Sequence, residues 1–130
     1  MIERLKSKDI RNPRVLNAMN EVPRHFFLDS AFLEFSYKDN AFPIGCDQTI
    51  SHPFTVAFQT ELLNPKPKDK ILEIGTGSGY QSAVLCKIGC KVYSVERFKD
   101  LYLKAKENLS DVNCNANVFY GDGYLGLPDY

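Results

Sequence analysis

Residues Lys70–Tyr80 read KILEIGTGSGY. Residues 70–75, KILEIG, form a short β-branched run that predicts a strand. Gly75-Thr76-Gly77-Ser78-Gly79 is a glycine-rich turn, a helical stretch follows it through Lys87, and Gly89 closes that helix. A strand, a glycine turn and a helix in this order turn backbone amides and a helix N-terminus toward whatever binds there. Glycine suits such a turn because a Cβ would block close approach or force an unfavourable φ. By itself the turn is a weak signal, equally compatible with a tight βα connection that binds nothing.

Downstream the pattern repeats. Residues 91–96, KVYSVE, predict a second strand, and Phe98, Leu101, Ala105 and Leu109 mark one face of a second helix. Val118-Phe119-Tyr120 then leads into Gly121 as a third strand. Strand, helix, strand, helix, strand implies a parallel sheet with right-handed crossovers, a doubly wound α/β domain.

Two acids sit where such a sheet binds ligands. Glu96 ends the second strand, twenty-one residues after Gly75, where a carboxylate can accept from both hydroxyls of a ribose. Asp122, in GDG after the third strand, reaches the same sheet edge, where it could accept from an adenine amino group. Either acid alone is an ordinary solvated loop charge. Three ligand-type features at the carboxyl ends of consecutive strands point together to an adenosine-containing cofactor. A dinucleotide fingerprint, G-x-G-x-x-G, would need glycine where Tyr80 stands. The observed G-x-G-x-G favours S-adenosylmethionine, which carries no phosphate, over a nicotinamide cofactor.

Upstream, NPKPKD at Asn64–Asp69 breaks the chain before the first strand. The preceding half reads as helical. Asn12-Pro13 starts a helix with Val15, Leu16, Met19 and Val22 at helical spacing, and Pro23 ends it. The dense patch Phe26, Phe27, Leu28, Phe32, Leu33 and Phe35 reads as a short helix plus loop, and Phe54, Ala57, Phe58 and Leu62 form one helical stripe. The expected organisation is an N-terminal helical region over 1–64 and the first half of a Rossmann-like cofactor-binding sheet over 65–130, within one domain. Between these parts lies QTISHP, Gln48–Pro53, where Ser51 is either a helix N-cap or part of the chemistry.

Composition excludes several classes. Sixteen basic and sixteen acidic residues cancel, so no broad field advertises nucleic acid or an acidic membrane. No apolar run approaches the roughly 20 residues of a membrane span, and MIERLKSKDIRNP lacks the apolar core of a signal peptide. A soluble, cytoplasmic chain is expected. Of the four cysteines, Cys46, Cys86, Cys90 and Cys114, none forms C-x-x-C, and His25 and His52 complete no metal-ligand set. No metal is expected, and the cysteines read as buried reduced thiols.

VPRHFF, FPIGCDQTISHP, QTELL, LEIGTGSGYQSAVL, VYSVER and GDGY occur in the order seen in protein-L-isoaspartate O-methyltransferases, and the chain resembles that family from about Val15 to Leu127. The pairing of P-I-G-x-x-Q-T-I-S with LEIGTGSGY is more specific than the glycine loop. The resemblance implies a Rossmann-like S-adenosylmethionine-dependent fold with an N-terminal helical extension. It makes Ser51 the catalytic-site serine and places His52, Pro53, Phe54 and Thr55 against the cofactor. The glycine loop, the acid of the second strand and the D-G of the third map to Gly75, Gly77, Glu96, Asp122 and Gly123. Thr76 and Gly79 of the same loop and Arg97 beside Glu96 complete the cofactor-binding candidates. Asp47 stands where the family often has glycine, and His52 where it often has glutamine or alanine.

The implied reaction moves a methyl group from a sulfonium to the free α-carboxylate of L-isoaspartyl residues in damaged proteins and peptides, and the ester then cyclises to a succinimide. That carboxylate is ionised at pH 7 and needs no strong base, so Ser51 is expected to position it and not to act as a nucleophile. Family members continue past the third strand, so the sheet is expected to be truncated here, leaving residues 70–75 as an edge prone to self-association. Two other readings are a partner-dependent or inactive cofactor-binding fragment, and a different S-adenosylmethionine enzyme such as an RNA methyltransferase. Neutral charge and the Q-T-I-S segment argue against the RNA enzyme.

Overall fold

A computed structural model describes all residues from Met1 to Tyr130. The N-terminal part contains α1 (Ile2–Ser7), α2 (Pro13–Glu21), two 3-10 segments (Arg24–Phe27 and Ser30–Phe35), a hairpin of β1 (Phe42–Gly45) and β2 (Gln48–Ile50), and α3 (Pro53–Leu63). The second part alternates β3 (Lys70–Ile74), α4 (Tyr80–Ile88), β4 (Lys91–Glu96), α5 (Lys99–Asp111) and β5 (Asn117–Tyr120), closing on a 3-10 turn at Gly123–Leu125. No helix is long and apolar enough to cross a membrane.

The strands β3, β4 and β5 form a parallel sheet in that order, with Ile74 opposite Val95 and Glu96 opposite Tyr120. The expected punctuation operates physically. Asn12 caps α2 by accepting from the Arg14 N–H at 3.0 Å, Pro13 occupies the first turn, and Gly89 ends α4 in the left-handed region at φ 102°.

One core runs through both halves of the chain. Val15 and Met19 of α2, Ala57 of α3, Val84 of α4 and Val92 of β4 are completely buried, and α2 packs directly on α4. Burying each such Val or Met side chain contributes about 1.5–3 kcal/mol. The N-terminal segment is therefore a structural wall of the sheet domain and not an appendage to it.

Three expectations fail here. The N-terminal half is not purely helical: an antiparallel hairpin pairs Phe42 with Ile50 and Pro43 with Thr49, and its register shifts before Gly45. Strands of four and three residues containing Pro43 and Gly45 leave too little alternation for a period to show. The aromatic patch forms two 3-10 segments and no α-helix.

The third failure concerns α3, which does not bury its predicted stripe. Its core face is Pro53, Val56, Ala57 and Thr60, whereas Phe58 and Leu62 are 47% and 71% exposed. A helix apolar nearly all round gives no reliable face. Thr60 can be buried because its hydroxyl donates back to the Val56 carbonyl at 2.6 Å.

Candidate functional site

The in-register parallel strands bring three chain exits to one sheet edge. The ladder continues past the strands, with Gly75 N–H donating to the Val95 carbonyl at 2.8 Å and Gly121 N–H to the Glu96 carbonyl at 3.0 Å. Gly75, Glu96 and Asp122 therefore line one cavity of about 380 Å³, together with Gly77, Arg97 and Gly123. The cavity lies in the crevice at the carboxyl ends of the strands, where open α/β sheets bind ligands.

Glu96 is almost fully buried and pairs with no lysine or arginine. Two backbone amides hold it: Gly77 N–H donates to Oε2 at 2.8 Å, and Phe98 N–H to Oε1 at 3.0 Å. An ionised carboxylate offers about four acceptor positions, so each oxygen retains capacity for one hydroxyl of a vicinal diol. Asp122 is exposed, and its Oδ1 caps the final 3-10 turn by accepting from Tyr124 N–H at 3.0 Å. Its Oδ2 remains available to a donor. A buried diol acceptor with a second acceptor at the next strand end fits the nucleoside part of S-adenosylmethionine.

The glycines divide by role. Gly75 has φ +88°, and a Cβ there would meet nothing within 4 Å, so backbone conformation and open approach from the cavity require it. Gly79 faces away from the cavity, and a Cβ would lie 3.0 Å from Leu109 Cγ. It lets α4 begin close against α5 and touches no part of the candidate ligand space. Gly123 admits no side chain without moving its neighbour, because a Cβ would come within 2.5 Å of Ile74 Cγ2.

Ser51 lines a second cavity of about 280 Å³, with Gln59, Glu73, Thr76 and Gln81 among its walls. Thr49, Ile74, Gly75 and Gly77 border both cavities, so the two compartments meet at the glycine loop. Thr76 is buried, its hydroxyl 2.6 Å from that of Ser94.

The reading of Ser51 as a helix cap is not borne out. The N-cap of α3 is His52, whose side chain makes no capping bond. Asp39 supplies the cap from outside the helix, its Oδ1 accepting from Phe54 N–H at 2.9 Å while Oδ2 meets Lys8 Nζ at 2.5 Å. Burial pushes the Asp39 carboxyl up, but the Lys8 and Phe54 donors outweigh it and leave its pKa lowered. The Ser51 hydroxyl therefore has no structural partner, while its carbonyl is pinned by Arg24 Nη2 at 2.8 Å.

His52, Pro53, Phe54 and Thr55 line neither cavity. His52 Nδ1 lies 3.1 Å from the Asp39 carbonyl, Pro53 is buried, and Phe54 packs between Lys8 and Phe58. Conversely, Ile44, Gln48 and Thr49 of the hairpin wall the first cavity and escaped the sequence reading with the hairpin itself. Arg24 and Asp39 were also missed. The available signals were a charge amid the aromatic residues of VPRHFF and an acid ahead of the α3 start.

Comparison with known proteins follows the same line. The sequence model described as Protein-L-isoaspartate(D-aspartate) O-methyltransferase matches residues 1–130. The protein-L-isoaspartate O-methyltransferase of Christiangramia forsetii is 52% identical over 131 residues, covering 100% of this chain and 62% of the relative. A solved protein-L-isoaspartate O-methyltransferase superposes on 100% of this chain and 45% of its own with a TM-score of 0.88 at 29% identity. A Plasmodium falciparum structure described as a beta-aspartate methyltransferase in complex with S-adenosyl-L-homocysteine gives a TM-score of 0.79 at 26% identity, covering 92% of this chain and 61% of its own. The chain thus spans between 45% and 62% of the length of these three proteins.

Proposed function

The chain belongs to the protein-L-isoaspartate(D-aspartate) O-methyltransferase family, and from that premise we propose that the whole protein methylates the free α-carboxylate of L-isoaspartyl residues in damaged proteins and peptides. The observation that carries this reading is the junction of two compartments at Gly75 and Gly77, one holding buried Glu96 and the other the unpartnered Ser51 hydroxyl. S-adenosylmethionine, when bound, supplies an electrophilic methyl group on a sulfonium centre.

Glu96, its carboxylate already oriented by the Gly77 and Phe98 amides, would accept from the ribose hydroxyls, and Asp122 Oδ2 would accept from the adenine amino group. Arg97 and Gly123 complete that wall, and Thr76 braces the loop from below. Ser51 donates its hydroxyl to one oxygen of the substrate carboxylate and leaves the other free to attack in line. No general base is required, because the nucleophile is ionised at pH 7. The hairpin residues Gln48 and Thr49 screen the junction from water. Residues 1–64 and 65–130 serve as the serine-bearing and cofactor-bearing segments of this one core.

Two substitutions in the whole protein test the assignment. Glu96→Ala is expected to weaken S-adenosylhomocysteine binding by about 1–3 kcal/mol in calorimetry, through lost charge-assisted hydrogen bonds. Ser51→Ala is expected to lower kcat on an isoaspartyl peptide by about 10- to 100-fold, with cofactor affinity changed less than about twofold. Unaltered affinity in the first variant removes Glu96 from the site. Equal losses of turnover and affinity in the second make Ser51 structural.

The 130-residue chain itself is proposed to self-associate. β3 is an edge strand, with Leu72 and Ile74 49% and 55% exposed. An unpaired ladder beside apolar side chains recruits another strand. Sedimentation should show dimers or larger species with weak methyltransferase activity; a stable, fully active monomer contradicts this.

A further inference from the structure

At the opposite end of the sheet from Glu96 and Asp122, a cavity of about 830 Å³ is bordered by Lys91 and Asn117, the first residues of β4 and β5. Three of the four cysteines line it: Cys86 and Cys90 near the end of α4, and Cys114 in the α5–β5 connection. Cys86 and Cys114 are half-buried and line this cavity together, Cys86 standing one helical turn after Ser82 in α4. Cys114 is held in place, its N–H donating to the Leu109 carbonyl at 2.9 Å and its Sγ lying 4.0 Å from the Ser82 carbonyl.

We propose that Cys86 and Cys114 form a thiol–disulfide exchange site that low-molecular-weight disulfides convert to an intramolecular disulfide. The pair stands apart from methyl transfer and is accessible through a cavity that also presents Lys91, which has no acidic partner, to an anionic reagent. The two thiols are not equivalent. Interaction with the neighbouring Cys86 thiol lowers the Cys114 pKa and raises that of Cys86. Cys114 is thus the attacking sulfur. Its thiolate displaces one thiolate from the reagent and forms a mixed disulfide. The Cys86 sulfur, giving its proton to solvent or the released thiolate, then attacks Cys114 Sγ and expels the second thiolate. Two protein thiols lose two electrons, and one reagent disulfide becomes two thiols. Cys90 is excluded because its side chain is buried, donates to the Lys66 carbonyl at 3.5 Å, and has its pKa raised by that burial.

The test treats the folded chain carrying Cys46→Ser, which removes the exposed cysteine of the hairpin turn, with oxidised glutathione, followed by non-reducing peptide mapping. The expected product is a single Cys86–Cys114 cross-linked peptide, two hydrogens lighter than the reduced pair, with Cys90 still free. Adding Cys86→Ser should trap glutathione on Cys114, whereas adding Cys114→Ser should slow thiol loss at least about tenfold. A cross-link appearing only in denaturant, glutathione trapped mainly on Cys90, or free Cys86 and Cys114 after the reagent has modified an added model thiol, would each overturn the proposal.

Discussion

Replacing Arg24 with alanine is expected to cost about 3–5 kcal/mol of folding stability, much of the roughly 5–15 kcal/mol available to a domain. Arg24 is completely buried, with no acidic partner among the ion pairs. Its guanidinium holds the chain by carbonyls instead: Nε donates to Ser36 at 2.8 Å, and Nη2 to Ser51 at 2.8 Å and Asn40 at 3.3 Å. The group also stacks on Tyr80, with Cζ 4.8 Å from the ring centroid. Burial lowers its pKa, opposed by Tyr80 and Asp39.

Alanine would strand three carbonyls and open a void beneath the β2–α3 junction, displacing Ser51 along with its carbonyl. Arg24→Lys should restore only part of the loss, because one ammonium cannot span carbonyls that a planar fork reaches in different directions. Denaturant midpoints measure both variants. A loss below about 1 kcal/mol for alanine would show that the carbonyls find other donors.

The second large effect belongs to Glu73, directly before Ile74 at the edge of the sheet. Its carboxyl accepts from the Ser94 hydroxyl at 2.7 Å and from Ser82, and Ser94 in turn meets Thr76. Burial pushes its pKa up to about 7; the two serines pull it back, and the charge of Glu96 adds to the rise. The sign follows from proton binding. Between about 4.5 and 7 the folded state holds a proton that the unfolded state has released, so this residue's contribution to stability falls as pH rises through that window.

Once ionised, a unit or more above pH 7, the group costs on the order of 3 kcal/mol, discounted to about 1–2 kcal/mol because the residue is partly exposed. Glu73→Gln should therefore stabilise the protein by about 1–2 kcal/mol at pH 8 and by less than about 0.5 kcal/mol at pH 4.5. Comparing urea midpoints of variant and parent at both pH values cancels the other titrating groups. A pH-independent difference would mean that Glu73 titrates normally.

Much of the second half of the chain was legible because its signals are local. A β-branched run, left-handed glycines at Gly75 and Gly89 and two apolar helix faces each specify their element within a few residues. Parallel pairing then places Gly75, Glu96 and Asp122 at one edge, since consecutive strands joined by helices run in the same direction.

The first half was less legible because its order comes from distant partners. The hairpin holds its register through tertiary contacts, and α3 shows no dominant apolar face. Its cap comes from Asp39 thirteen positions before His52, and Ser51 is fixed by Arg24 from twenty-seven positions away.

The sequence by itself determined the βαβαβ order, the glycine turn, the acids at the strand ends and the family resemblance, because these reside in local backbone preference and spacing. Only the tertiary structure decided that Ser51 is no helix cap, that its hydroxyl opens on a compartment sharing Gly75 and Gly77 with that of Glu96, and that Cys86 and Cys114 line one cavity. The reason is physical: a capping or bridging group needs only to reach its partner in space, and no period or propensity along the chain records which distant side chain arrives first.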